Sequence, residues 1–260
     1  MTAAIIIARG GSKRLPRKNV RDFCGLPLVA WSILQAKYSY FVDWVFLSTD
    51  DDEIEAIGQQ YGAEVIRRPN WPDANQVSAI RVFMHALDTI AEQGYEMDRM
   101  VGMLPTAPLR YPGDIDRGIV HHEQCGWHVI PMARNRETIL FKDHGGLIAK
   151  RELLDNNRGY LTESAGLFHV CEPNWFKWYF GSMAQLLGDH DRVLNGNGAD
   201  VGDLTGQTYY IECEPWQCTE VDTLPEFELA EVLMEHYIIR GRGDAAYRDY
   251  ERGENDERVE

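Results

Sequence analysis

Residues 3–19 read AAIIIARGGSKRLPRKN, an apolar, β-branched run that breaks into paired glycines and then into cations. Ala3-Ala4-Ile5-Ile6-Ile7 has the composition of a buried strand. Gly10-Gly11 permit a tight turn whose N–H groups can point at an anion, and Ser12 follows. Arg9, Lys13, Arg14, Arg17 and Lys18 come from the same stretch, with no acidic residue among them. The whole chain carries 26 Lys+Arg against 41 Asp+Glu, a formal charge of −15, so this cationic cluster runs against the trend. Strand, glycine turn and converging cations together make a site for a polyphosphate. The spacing is neither of two familiar ones. GxxxxGK[ST] fails because Leu15 stands five residues after Gly10, and GxGxxG fails because Ser12 follows Gly11. A merely solvated basic loop is the plainer reading of a charge run, but glycines at the end of a buried strand speak against it.

Working outward, strands and helices alternate. Leu28–Tyr38 has helical spacing, and Trp44–Thr49 reads as a second strand. Asp50 with Glu53 forms a capping-box pattern opening a helix to Tyr61, closed by Gly62. Glu64–Ile66 is a short strand. Ser78–Gln93 places Ile80, Phe83, Leu87 and Ile90 on one helical face. Arg99–Leu104 is a strand, 112–124 a helix, and Trp127–Met132 a fifth strand. This βαβα order predicts an α/β fold, a Rossmann-like three-layer arrangement with a mostly parallel sheet flanked by helices. Ligands of such sheets bind beyond the carboxyl ends of the strands, where the glycine loop, Asp50 and residues 104–110 can meet.

The periodicity fades between about 133 and 165, where Asp143-His144-Gly145-Gly146 looks like a hairpin turn; this reads as an inserted arm. Strand character resumes at Gly166–Val170 and again at Thr208–Ile211. Thr223 with Glu226 makes a second capping box, opening a helix with Phe227, Leu229, Ala230, Leu233, Met234 and Tyr237 toward the core. The main domain is thus expected over 1–238, with 239–260 a charged, mobile tail.

Composition bounds the function. The acidic balance argues against nucleic acid or anionic membrane as a general partner, and no segment approaches the ~20 apolar residues of a membrane span. Five scattered cysteines without a CxxC pair read as reduced thiols of a cytoplasm-like compartment, and the N-terminus lacks the pattern of a signal peptide. His121-His122 reads as a solvent-facing pair, His169 as a core or pocket-wall residue, and Trp175 and Trp178 as core. Arg14 and Arg17 are expected to face solvent.

ARGGSKRLPRKN (8–19) is followed by LSTDDDEI (47–54), YGAEVIRRP (61–69), LPTAPLR (104–110) and TEVDTLPEFELAE (219–231). In this order the motifs closely resemble those of the acylneuraminate cytidylyltransferases, which activate sialic acid and other nonulosonic acids. The resemblance implies a nucleotidyltransferase fold with a dimerisation arm. It implies a reaction in which the anomeric hydroxyl of a small acidic sugar attacks the α-phosphate of CTP and releases pyrophosphate. Arg9, Ser12, Lys13 and Lys18 would hold the triphosphate, with the Gly10 and Gly11 amides facing its oxygens. Asn19 would contact the ribose, and Arg68 and Ser78 would lie near the cytosine. The family's Asp-x-Asp falls on Glu220 and Asp222, implied ligands of Mg²⁺, although both could instead decorate a helix N-terminus. Arg9, Lys18 and Asp222 are then the expected catalytic groups. No residue stands out as general base; a hydroxyl acidified by the metal and aided by Asp222 stays open.

Two departures bear on the substrate. Glu220 stands where the family has aspartate, and Leu104 where sialic acid enzymes often carry glutamine. Threonine-alanine-proline after Leu104 is more reminiscent of the pseudaminic acid enzymes. Leu104, Thr106 and Arg110 are candidate sugar contacts, and Arg134, Arg136, Arg151 and Arg158 are candidates for the sugar carboxylate. A homodimer is implied. An enzyme of the same fold acting on an octulosonic acid, or a catalytically weak nucleotide-binding homologue, remain the alternatives.

Overall fold

The computed structural model describes residues 1–69, 71, 77–135, 140–143, 146–149, 160–163, 166–186 and 208–242. The strands are, in chain order, β1 (Thr2–Ala8), β2 (Asp22–Phe23), β3 (Leu26–Pro27), β4 (Trp44–Thr49), β5 (Glu64–Arg67) and β6 (Arg99–Met103). They continue as β7 (His128–Asn135), β8 (Leu140–Asp143), β9 (Gly146–Ala149), β10 (Tyr160–Glu163), β11 (His169–Cys171) and β12 (Thr208–Cys213). The helices are α1 (Leu28–Tyr38), α2 (Asp52–Gln60), α3 (Ala79–Glu92), α4 (Asp114–Cys125), α5 (Pro173–Leu186) and α6 (Leu224–Leu233).

The opening apolar run is an inner strand. It pairs in parallel with β4 on one side and β6 on the other, within a sheet ordered β10-β7-β11-β6-β1-β4-β5, with β12 alongside β7. Alternation along the strand makes three layers. Ala4, Ile6 and Ala8 pack with residues of α1, α2 and α4, whereas Ala3 and Ile5 pack with α3 and α5. α1 is buried nearly all round because it has a second neighbour. Its Leu28 and Trp31 join Phe227 and Ala230 of α6 and the following Met234 and Ile238.

Several expectations need correction. β11 runs antiparallel to β6 and begins at His169 rather than at residue 166. β10 pairs with β7, so part of the expected arm belongs to the central sheet, while β8 and β9 form a separate hairpin with Asp143 opposite Gly146. Leu229 lies on the outer face of α6 and is exposed; Tyr237 is exposed because the chain loosens into π-helical turns over Met234–Arg242 and carries Ile238 inward instead. Trp178 is 64% exposed, and only Trp175 packs against the core. Arg136, Arg151, Arg158 and the tail from 243 lie outside the described residues, as does the side chain of Arg134. Among the described residues no helix is long and apolar enough to cross a membrane.

Of the histidines, His169 lies in the core as expected, whereas His122 departs from the expected solvent-facing pair. His122 is buried, with Nδ1 2.6 Å from the Trp127 carbonyl oxygen, and His121 stacks on Tyr209. His169 stacks on Phe176 and meets the ring of His128, whose Nε2 is buried without a partner. Gly102 is required beneath His169, since a Cβ there would lie 2.0 Å from its Nε2. Burial pushes His169 down to about 4; burial, then the neighbouring His169 and His122, push His128 down to about 3. Both are neutral in the fold. The unfolded chain takes up protons below about pH 6.5, and the folded chain does so only near the lowered values. The contribution of these two histidines to stability is therefore complete above pH 6.5 and drains away as pH falls toward 4 and then 3. The melting temperature, measured from pH 7 to pH 4, is expected to fall less steeply in His128→Gln; parallel curves would contradict this.

Candidate active site

β1, β4, β5 and β6 all run the same way, so their carboxyl ends deliver Arg9, Asp50, Arg68 and Leu104 to one edge of the sheet. There a cleft of about 470 Å³ is lined by Arg9, Ser12, Lys13, Arg14, Lys18, Asn19, Arg68, Leu104, Thr106 and Asp222. A lobe of about 350 Å³ shares Arg9, Arg68 and Val77 with it and adds Asp50 and Trp71. Arg81 lies over the Trp71 ring, 5.2 Å from its centroid. Nothing in the sequence pattern had marked Trp71.

The glycine loop rests on acids. The Gly10 N–H donates to Asp50 Oδ1 at 2.9 Å, so it is held by the protein rather than turned to the cleft; of the expected amide pair only Gly11 stays exposed. A Cβ on Gly10 would come within 2.3 Å of Asp51 Oδ2, which makes glycine obligatory by contact. Asp51, not Asp50, caps α2, accepting from the N–H groups of Glu53 and Ile54 at 3.1 Å. Arg17 does not point idly into solvent. Its backbone takes the left-handed region (φ 57°), and its guanidinium binds Asp51 and Glu53, tying the loop to the start of α2. That guanidinium, followed by the capping N–H groups, holds the Asp51 carboxyl below the usual carboxylate range.

Asp222 lines the same cleft. Its Oδ1 accepts from buried Lys18 Nζ at 2.9 Å, and its Oδ2 pairs with Arg14 at 2.5 Å, so Arg14, exposed to solvent as expected, also lines the cleft. The Val221 N–H donates to the Thr106 carbonyl at 2.7 Å, which fixes this segment against the loop after β6. Burial, then the charge of Asp222, push the Glu220 carboxyl above its ordinary value. Gly166 makes room for it, because a Cβ there would stand 2.9 Å from Glu220 Oε1. Asn19 donates to the Arg9 carbonyl at 2.9 Å, and its Oδ1 is buried with no partner.

Arg68 donates to Ser48 Oγ at 3.0 Å and to the carbonyls of Ser48 and Ala8 at 2.7 and 3.2 Å. Burial first, and Arg9 after it, bring its guanidinium down to about 10 against the opposing pull of Asp50. Ser78 does not line the cleft; its hydroxyl caps α3, accepting from the Arg81 N–H at 3.2 Å, while its neighbours Val77 and Ala79 form the wall. Arg110 is likewise no sugar contact. It is fully buried, donating to Gln35 Oε1 at 2.7 Å, to the Leu104 and Gly166 carbonyls at 2.8 and 3.1 Å, and to the Leu167 carbonyl. It braces the loop that carries Leu104 and Thr106 into the cleft.

The architecture is that of a Rossmann-like nucleotidyltransferase. A solved CMP:2-keto-3-deoxy-manno-octonic acid synthetase superposes with a TM-score of 0.63 over 91% of this chain and 99% of that one, at 16% identity. The family model described as Cytidylyltransferase matches residues 3–124. A CMP-N,N'-diacetyllegionaminic acid synthase of Legionella pneumophila is 31% identical over 165 residues, covering 62% of this chain and 71% of that protein. A pseudaminic acid cytidylyltransferase of Campylobacter jejuni is 42% identical over 107 residues, 40% of this chain and 46% of that protein. The chain belongs to the acylneuraminate cytidylyltransferase family. It spans about half the length of several curated relatives that it matches.

Proposed function

We propose that this chain transfers CMP from CTP to the anomeric hydroxyl of a nonulosonic acid, releasing pyrophosphate. The observation that carries the reading is the convergence of Arg9, Ser12, Lys13, Arg14 and Lys18 with Asp222 on one cleft. The relatives named for pseudaminic, legionaminic and acylneuraminic acids support the substrate class. Leu104, an apolar wall where a glutamine would offer hydrogen bonds, favours a pseudaminic-type sugar within that class.

Such a displacement needs positioning and charge stabilisation more than covalent help. Negative charge grows on the leaving pyrophosphate, so Lys18, Arg9 and Lys13 bind it better in the transition state than before it. Arg14, though half of an ion pair, is mostly exposed and can leave Asp222 for a phosphate oxygen. Asn19 Oδ1, buried and unpartnered, is free to accept from a ribose hydroxyl. Arg68 and the Trp71 lobe are assigned to the base.

The carboxylate pair suits a divalent cation. Asp222 and Glu220 are hard oxygen donors whose mutual repulsion a cation would relieve, as the raised Glu220 carboxyl indicates. Among the described residues no group of three or more His, Cys, Asp or Glu is set for a metal, so the pair would share Mg²⁺ with phosphate and water oxygens. When bound, the ion adds its charge to the neutralisation of the phosphates. Assembly as a homodimer in the cytoplasm belongs to the same reading.

Pyrophosphate release from CTP and Mg²⁺, with a panel of nonulosonic and octulosonic acids, tests it. Release is expected with nonulosonic acids, fastest with the pseudaminic type. If no sugar supports release while CTP still raises the melting temperature, the chain is a nucleotide-binding homologue without turnover. Sedimentation at micromolar concentration checks the dimer.

A further inference from the structure

In sequence Cys213 and Cys218 make no recognisable pair, yet the fold sets their Sγ atoms 3.9 Å apart. β12 ends at Cys213, and the helical turn Pro215–Cys218 doubles the chain back upon it. The two thiols differ in setting. Cys213 is buried and held in the sheet opposite Ala133, while Cys218 is half-buried. The Cys218 contact and burial together raise the Cys213 thiol above its ordinary range, so it is the less reactive of the two toward a soluble oxidant.

The chain beyond this turn leads directly into the site. Glu220 follows Cys218 by two residues and Asp222 by four. Gln217, between the two cysteines, donates to the Leu109 carbonyl at 3.0 Å and to Asp114 Oδ2 at 2.8 Å. The turn therefore carries the register of the carboxylate segment onto the loop after β6.

We propose that Cys213 and Cys218 form a reversible disulfide when the protein meets a peroxide, and that the bond displaces Glu220 and Asp222. The Cys218 thiolate attacks a peroxide oxygen; the O–O bond breaks, leaving Cys218 as the sulfenic acid and one water. Cys213 then loses its proton and its sulfur attacks Cys218 Sγ. The S–S bond forms as hydroxide leaves, taking that proton to become a second water. Two thiols are oxidised by two electrons, and hydrogen peroxide is reduced to two waters. A disulfide needs its sulfurs about 2 Å apart, so they must close by about 1.9 Å from the present 3.9 Å. The sheet holds Cys213, so the movement falls on Cys218 and the carboxylates that follow it. A displacement of that order at a positioned group costs on the order of 100-fold in rate.

The full chain is oxidised with a small excess of hydrogen peroxide and followed by intact mass, free thiols, peptide mapping, CMP-transfer rate and Mn²⁺ affinity. The mass is expected to fall by about 2 Da, with Cys213 joined to Cys218. The rate is expected to drop at least about tenfold and Mn²⁺ affinity to weaken, both recovering with dithiothreitol. Cys218→Ser keeps its rate and affinity through the same treatment. Sulfinic acid at Cys218 without the crosslink overturns the proposal, and so does a crosslink that leaves both rate and Mn²⁺ affinity unmoved. The effect on rate rests on the function proposed above, whereas crosslinking and Mn²⁺ affinity do not. Absence of CMP transfer with any sugar, alongside a crosslink that weakens Mn²⁺ binding, refutes that function and leaves the switch standing.

Discussion

Lys18→Ala is expected to slow CMP transfer by ~100–1,000-fold in a single turnover, equivalent to ~2.7–4 kcal/mol of lost transition-state stabilisation. Two features set the size of this effect. The side chain is buried, so its charge acts across a medium that screens poorly, and it is already aimed by Asp222 Oδ1 at 2.9 Å. A preorganised cation of this kind needs no reorganisation as charge moves to the leaving pyrophosphate. Binding of CTP in the ground state should weaken much less than the rate does. A loss under threefold would remove Lys18 from the chemistry and leave it as the counter-ion of Asp222.

Arg110→Met is expected to cost roughly 3–5 kcal/mol of folding stability, read as a fall in the urea midpoint at constant slope. The methionine fills much of the volume but returns none of the donors that now reach Gln35, Leu104, Gly166 and Leu167. Several of those acceptors lie in a fully buried place, where water cannot replace the guanidinium. The loop bearing Leu104 and Thr106 should loosen first, so sugar KM is expected to rise in any variant that still folds. A destabilisation below about 1 kcal/mol would mean that these acceptors find other donors.

How far the chain could be read in advance differs between its parts. Strands β1, β4 and β6 and helices α1 and α3 were legible because each has one dominant pattern, apolar runs or a single apolar face. The tail of α6 was not, because π-helical turns change the residue spacing and put Ile238 where a regular helix would put Tyr237. In the site, the positions of Arg9, Lys18 and Asn19 followed from a loop local in sequence. Arg110 misled, since its motif cannot distinguish an arginine that faces a ligand from one that braces the loop from below. Arg14 and Arg17 are exposed as expected, but the ion pairs that they make were not legible. Their partners, Asp222 and the Asp51–Glu53 pair, are remote in sequence, and a charge run carries no sign of remote counter-ions. Asp51 displaced Asp50 as the cap because three consecutive aspartates give the pattern more than one register.

The acids beneath the glycine loop have a consequence for how nucleotide reaches it. Arg9, Lys13, Arg14, Lys18 and Arg68 line the cleft against Asp222, and the adjoining lobe adds Arg67 and Asp50, so the cleft is locally cationic. The whole chain carries −15 and repels a triphosphate at long range. The attraction is therefore short-ranged, and Asp222 already takes up part of it at Arg14 and Lys18. Recognition must come at contact, when phosphate oxygens replace carboxylates as partners of cations already in place. A small anion with one or two charges cannot make that exchange at enough points, so on the proposed function the number of phosphates seated is expected to decide what binds.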